Sequence, residues 1–240
     1  MNAQYFPAVF DVPDMQRAKE IILTEEGPGA DTETRWQQET PYVLELIWEA
    51  FNLRPEMIVL DYGCGIGRLA RAMIEASGCS VIGVDTSSSM RALSQEYVNS
   101  ERFTAVSPDQ FDLLVRGGLR VDAAISVWVL QHCFAPALDI ERMRRGLVAG
   151  GRVFVLNMPK RAVPAVFDDP QSGTQADKEA DKPTDKPAER KFAWAEDGVD
   201  VAALLRQAFE VIGESVLDRS RTPNMADVGA YWMSLRHTAV

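Results

Sequence analysis

Three glycines at alternate positions, Gly63, Gly65 and Gly67, follow Asp61 in the stretch VLDYGCGIGRLA, with Cys64 inside the turn. Glycine loses more conformational freedom on folding than any other residue, so its repetition where an aliphatic run ends answers a need for bare backbone. A turn without β-carbons lets a ligand lie against main-chain N–H groups. Asp61, just ahead of it, would repel a pyrophosphate and suits a cationic group such as an ammonium or sulfonium. The order D-x-G-x-G-x-G also departs from the G-x-G-x-x-G pattern that seats a pyrophosphate on a helix N-terminus. Asp85 closes the next aliphatic run, SVIGVD, where it can accept hydrogen bonds from ribose hydroxyls. His132 follows another run in VWVLQH and is one of two histidines. Its imidazole can take a proton from an acceptor or orient it. Cys133 beside it invites a nucleophile reading. Adjacent residues at a strand end point apart, however, and small packing residues account better for Cys64 and Cys133.

These residues need elements to hold them. From Met57 the chain alternates short apolar runs with amphipathic stretches. Strands are expected over 57–63, 80–85, 102–107, 121–130 and 151–158, with helices over 67–77, 87–98 and 136–147 and a short helix or loop over 109–115. Strict alternation implies right-handed crossovers and a parallel sheet covered on both faces. A helix over 199–208 and two terminal strand-like runs suit an antiparallel hairpin added to that sheet. Before Met57 the pattern is helical: Asp14 caps a helix to Leu23, and Thr40-Pro41 starts another that runs to Leu53. Residues 1–54 thus form a helical cap on a domain spanning 55–240. Within that domain, the mixed-charge repeats around 168–191 (ADKE, ADKP, TDKP) have too few apolar residues to order and read as a flexible insertion.

Net charge is −10, with no cluster of lysines and arginines standing clear of acids, which argues against a nucleic-acid partner. An odd count of cysteines without metal-ligand spacing reads as reduced thiols and no metal site. Neither a signal segment nor a stretch able to cross a bilayer is visible, so no membrane association and a cytoplasmic location are expected. Oligomeric state leaves no mark in the sequence.

The motifs VLDYGCGIGRLA, VIGVDTSSSM, VDAAISVWVLQHCFAP and RMRRGLVAGGRVFVLN, in continuous order over about 55–157, resemble the class I S-adenosylmethionine-dependent methyltransferases. The resemblance implies an α/β, Rossmann-like, doubly wound seven-stranded sheet of order 3-2-1-4-5-7-6, strand 7 antiparallel. It implies S-adenosyl-L-methionine as cofactor and in-line methyl transfer to the oxygen, nitrogen or carbon of a small-molecule acceptor. Asp61, Gly63, Cys64, Gly65 and Gly67 match the motif holding the methionyl part. Asp85, with Thr86, matches the ribose site, and Met90 the apolar residue against the adenine. Val127 and Trp128 occupy the stretch facing the methionyl end. Ser107 stands where the family often has an aspartate on the adenine amino group, and Asp109 or Gln110 takes that role one turn on. An arginine and an aromatic from the N-terminal cap, Arg35 and Trp36, are expected in a lid, with packing of Trp36 and Tyr42 against the sheet as the alternative. His132 is the candidate catalytic residue. A cofactor-binding module without catalysis, serving regulation or scaffolding, would keep the same glycine turn and Asp85.

Overall fold

The computed structural model describes residues 3–24, 31–168, 190–218, 220–222 and 229–238. Of the insertion expected to be flexible over 168–191, residues 169–189 lie outside the described residues, whereas Asp168, Arg190 and Lys191 belong to strands. A seven-stranded sheet forms the centre. Five of its strands run parallel: β2 (Ile58–Tyr62), β3 (Ser80–Val84), β4 (Phe103–Val106), β5 (Val121–Val127) and β6 (Leu147–Asn157). The last strand in the chain, β10 (Tyr231–Arg236), lies antiparallel between β6 and β9 (Glu210–Val216), giving the order β4-β3-β2-β5-β6-β10-β9. Counted along this sheet alone, that is the expected 3-2-1-4-5-7-6.

Each parallel strand is buried on both faces. Neighbouring residues part to opposite sides, because side chains alternate along a strand. Val59, Val81, Ile125 and Phe154 meet α2 (Thr32–Phe51) and α3 (Arg68–Ser77), while Leu60, Val84, Ala124 and Val153 meet α5 (Pro108–Arg116), α6 (Pro136–Gly146) and α7 (Val201–Ala208). A third apolar cluster lies off the sheet. There Val12, Ala18 and Leu23, around α1 (Met15–Ile22), close on Ile66 of the glycine turn and Met90 of α4 (Ser88–Val98).

Two features depart from the sequence reading. Helix α2 starts at Thr32 rather than Thr40, because Asp31 caps it by accepting the Thr34 N–H at 2.9 Å. Pro41 is therefore interior, and the carbonyl of Trp36 is taken by the Thr40 hydroxyl at 2.5 Å. Having no N–H, Pro41 leaves the Gln37 carbonyl, one residue further on, without its helical donor. The second departure is an antiparallel sheet beside the main one, of order β1 (Ala3–Tyr5), β7 (Val163–Asp168) and β8 (Arg190–Ala195). The cap is accordingly not helical throughout. Its first residues are a strand in register with Ala165 to Phe167. Among the described residues, no helix is long and apolar enough to cross a membrane.

Arg161 anchors the second sheet to the first. Its guanidinium, 4 % exposed with its residue, donates to both Asp197 oxygens at 2.9 and 2.7 Å and to the Leu130 carbonyl at 3.1 Å. It ties the segments before β7 and after β8 to the end of β5. Arg161→Met keeps the stem and strands these acceptors. It should lower the unfolding free energy by about 2–3 kcal/mol in urea titration, and wild-type stability would show the anchor idle.

Candidate active site

The carboxyl ends of β2, β3 and β5 open into a cavity of about 760 Å³, within the roughly 300–1,000 Å³ usual for small-molecule sites. Its floor is the glycine turn. Gly63 and Gly65 adopt φ of +78° and +52°, in the left-handed region where a β-carbon is strained. A β-carbon on Gly63 would stand 2.3 Å from Val129, and one on Gly65 would stand 2.7 Å from Ile22. The turn folds back on β3. The N–H groups of Gly63 and Cys64 both donate to the Val84 carbonyl, at 2.7 and 3.0 Å, and Gly65 N–H donates to Asp85 Oδ2 at 2.9 Å. Gly67 N–H goes to the Cys64 carbonyl. The amides are therefore spent inside the protein. The glycines are needed for close approach and left-handed backbone, where the sequence reading had expected free donors.

Asp85 lines the cavity and also accepts the Ser87 N–H at 2.9 Å. Burial raises its carboxyl above the usual range, against these hydrogen bonds. An ionised carboxylate offers about four lone-pair sites. With two taken, two remain for hydroxyls of a ligand. Thr86 and Met90 line the cavity as well, and Met90 is buried beneath it. Val127 and Trp128 reach it from the end of β5. Trp128 has φ +63°, rare for a residue with a β-carbon, and its buried indole N–H has no partner within the protein. Strain and an unpaired donor together are a pattern of ligand sites.

Other expected residues lie off the cavity. Asp61 is buried on β2 beneath the turn, 4 % exposed, and desolvation pushes its carboxyl up to about 7 although Arg68 opposes the rise. Cys64 is buried, and its thiol is pushed up for the same reason. Gly67 caps α3. Asp109 is exposed, and the exposed Gln110 closes a capping box by accepting the Ser107 N–H at 2.8 Å; Pro108 is what reaches the cavity there. Arg35 does line it, held by Glu39 at 2.6 Å and by the Thr24 carbonyl. Trp36 instead packs edge-on against Tyr97 beneath the cap.

His132 faces the cavity. Its Nδ1 lies 2.6 Å from the Ala162 carbonyl and so carries the proton, while Nε2 lies 3.2 Å from the Gln131 amide nitrogen and accepts from it. Burial lowers the imidazole's pKa, keeping the ring neutral. Around it stand aromatic residues that the sequence reading missed, Phe10, Phe192 and Trp194 among them. The alternation of Phe192 and Trp194 was the available signal. Among the described residues, no group of three or more histidine, cysteine, aspartate or glutamate side chains is placed to hold a metal ion.

The family described as "Methyltransferase domain" matches residues 59–151, the span that carries the glycine turn, Asp85 and His132. Residues 59–151 are thus matched as a methyltransferase domain, in line with the class I S-adenosylmethionine-dependent methyltransferases that the motifs resemble. The cofactor of this family is S-adenosylmethionine. The domain is 35% identical over 89 residues to cyclopropane-fatty-acyl-phospholipid synthase of Escherichia coli (strain K12), covering 37% of this chain and 22% of that protein. It is 34% identical over 120 residues to N-demethylindolmycin N-methyltransferase of Streptomyces griseus, covering 48% and 50%. The chain thus spans half or less of the length of these curated relatives. Solved structures of the same fold include the cyclase SpnF, with TM-score 0.59 and 18% identity over 85% of this chain and 83% of that one. Geranyl diphosphate methyltransferase in complex with SAM gives TM-score 0.57 and 13% identity over 91% and 95%.

Asp61 gives the methyltransferase domain a pH signature. Its folded carboxyl titrates near 7 and its unfolded one near 3.8, so folding takes up a proton between those values. Stability falls as pH rises through that window, and above it the full cost of a buried charge is present. Asp61→Asn removes that cost. Its melting temperature relative to wild type should rise between about pH 5 and about pH 8, and a pH-independent difference would contradict the assignment.

Proposed function

We propose that this chain binds S-adenosylmethionine in the cavity and transfers its methyl group to a small-molecule acceptor. The observation that carries the reading is the hydrogen-bonded junction of the glycine turn with Asp85, lining a space with room for a nucleoside and a second molecule. The residues fit the group. Asp85 has acceptor capacity for the ribose hydroxyls, Met90 offers an apolar face to the base, and Gly63 and Gly65 line the cavity without side chains of their own. The unpaired Trp128 N–H and the guanidinium of Arg35, both on the cavity wall, would hold the carboxylate of the cofactor's amino-acid end. When bound, the cofactor supplies a methyl carbon that bonds to the acceptor's lone pair as its bond to the sulfonium sulfur breaks, the electron pair staying on sulfur.

The chain's own work is mostly placement. Holding two reactants in line and excluding water supplies much of the rate in such a displacement. His132, neutral and fixed by Ala162, orients the acceptor. It takes a departing proton on Nε2 in exchange for the Gln131 contact, where the acceptor has one to lose. The name of the Streptomyces relative, an N-methyltransferase of a small molecule, supports this acceptor class.

Calorimetric titration should show S-adenosylhomocysteine binding and NAD not binding. Asp85→Ala should weaken the former by about 1.5–3 kcal/mol, the range for hydrogen bonds to a charged group. Equal binding of NAD, or an indifferent Asp85→Ala, would refute the reading. With an acceptor in hand, His132→Ala should lower kcat by about 10²-fold at unchanged S-adenosylhomocysteine affinity. Because burial lowers the imidazole's pKa, the acid limb of the wild-type profile should lie below the ordinary value of 6.5 and vanish in the variant.

A further inference from the structure

The acceptor side of the cavity is walled by rings. The His132 ring lies tilted 5.2 Å from Trp194 and 6.0 Å from Phe10, and Trp194 continues edge-on to Phe192 at 5.3 Å. Across the mouth, Tyr5 lies 5.2 Å from Phe134. These residues come from three places: the strap of β1 and the following 3-10 turn, the second sheet, and the approach to α6. Rings that packed only against the protein would be covered. Here Phe134 is 66 % exposed, Trp194 47 %, Phe192 42 % and the neighbouring Leu138 67 %, and all of them line the cavity. An apolar rim continuous with an apolar cavity marks a binding surface.

Charge narrows the occupant. Every cation lining the cavity already faces a carboxylate: Arg17 with Glu20 at 3.0 Å, Arg35 with Glu39 at 2.6 Å, Arg142 with Asp112 at 3.1 Å, and Lys160 with Glu196 at 3.7 Å. The carboxylates are engaged too, Asp139 by Arg142 and the Tyr62 hydroxyl, and Glu20 by Arg17 and Gln16. Apart from Arg35, assigned above to the cofactor, a phosphate or carboxylate would have to share its cation with a carboxylate already facing it, and beyond Asp85, assigned to the ribose, a fixed cation would find no spare anion.

Resting on the methyltransferase reading above, we infer that the acceptor is an uncharged molecule with a flat aromatic or polycyclic body. That body lies between the His132–Trp194–Phe192 rings and Phe134, part of it emerging through the mouth. Phe192 and Trp194 set the affinity. The second sheet exists to present them, because their alternation on β8 puts both on one face, in register with Val166 and Pro164 of β7.

The test uses the full chain saturated with S-adenosylhomocysteine and three probes followed by calorimetry: 2-naphthol, 2-naphthyl phosphate and choline. The first two share a body and differ in charge, and choline is the cation an aromatic cage would take. Naphthol should bind at least about ten-fold tighter than either other probe. Trp194→Ser and Phe192→Ser should each weaken it about ten-fold or more, with Trp194→Phe near wild type and S-adenosylhomocysteine affinity unchanged in all three. Both positions are half exposed, so the serine variants should fold, as circular dichroism will show. Tighter binding of the phosphate or of choline, no binding of naphthol, or naphthol binding indifferent to both serine variants would overturn the inference. The nucleoside arm separates failures: loss of S-adenosylhomocysteine binding by wild type sinks the methyltransferase reading itself, whereas its retention beside a failed naphthol arm sinks the aromatic acceptor alone.

Discussion

The hydrogen bond from Gly65 N–H to Asp85 Oδ2, at 2.9 Å, joins the tip of the first core strand to the tip of the second. Together with the two amides on the Val84 carbonyl it closes the glycine turn onto β3. Much of the site follows from that closure. It forces the left-handed backbone that only glycine takes without strain, and it leaves Asp85 half satisfied and facing the cavity. It also places Ile66 where α1 can pack over it. The turn is thus a rigid internal bracket. What it offers a ligand is the absence of side chains and the spare capacity of one carboxylate.

Beneath this bracket the protein holds buried charge. Asp61, Arg68, Glu39 and Arg35 come from β2, α3 and α2, and all four are almost fully buried. Arg35 holds Glu39, whose second oxygen has no partner within the protein, while Arg68 is close enough to both acids to act on their charge. Such an arrangement is expensive in a low dielectric, and breaking one member leaves another uncompensated. It couples the cap to the first strand. Arg35 belongs both to this set and to the cavity wall, so a ligand that engages it also acts on the seam between cap and sheet.

The main sheet was legible because parallel strands buried on both faces must be continuous apolar runs, and crossover helices must be amphipathic. Both are local properties of sequence. The order of the strands came through the family resemblance, since nothing local distinguishes neighbours in a sheet. Helix α2 was misplaced at its start because Thr40-Pro41 is a strong N-terminal signal, and the capping by Asp31 competes with it on equal terms. The second sheet was missed for a different reason. Its strands are short, sit on either side of the charged repeats, and pair with residues 3–5, so only long-range contacts reveal them. Asp109 and Gln110 show the limit of reading by offset: the residue types fit, but capping of α5 claims Gln110, and both are exposed on the helix rather than in the cavity.

Hydrogen–deuterium exchange of the full chain, with and without S-adenosylhomocysteine, tests the bracket most directly. The account predicts slowed exchange concentrated in residues 61–67, 84–91 and 127–132, with the distal hairpin of β9 and β10 unchanged. Protection absent from the first two segments, in a chain that nevertheless binds the nucleoside, would contradict it.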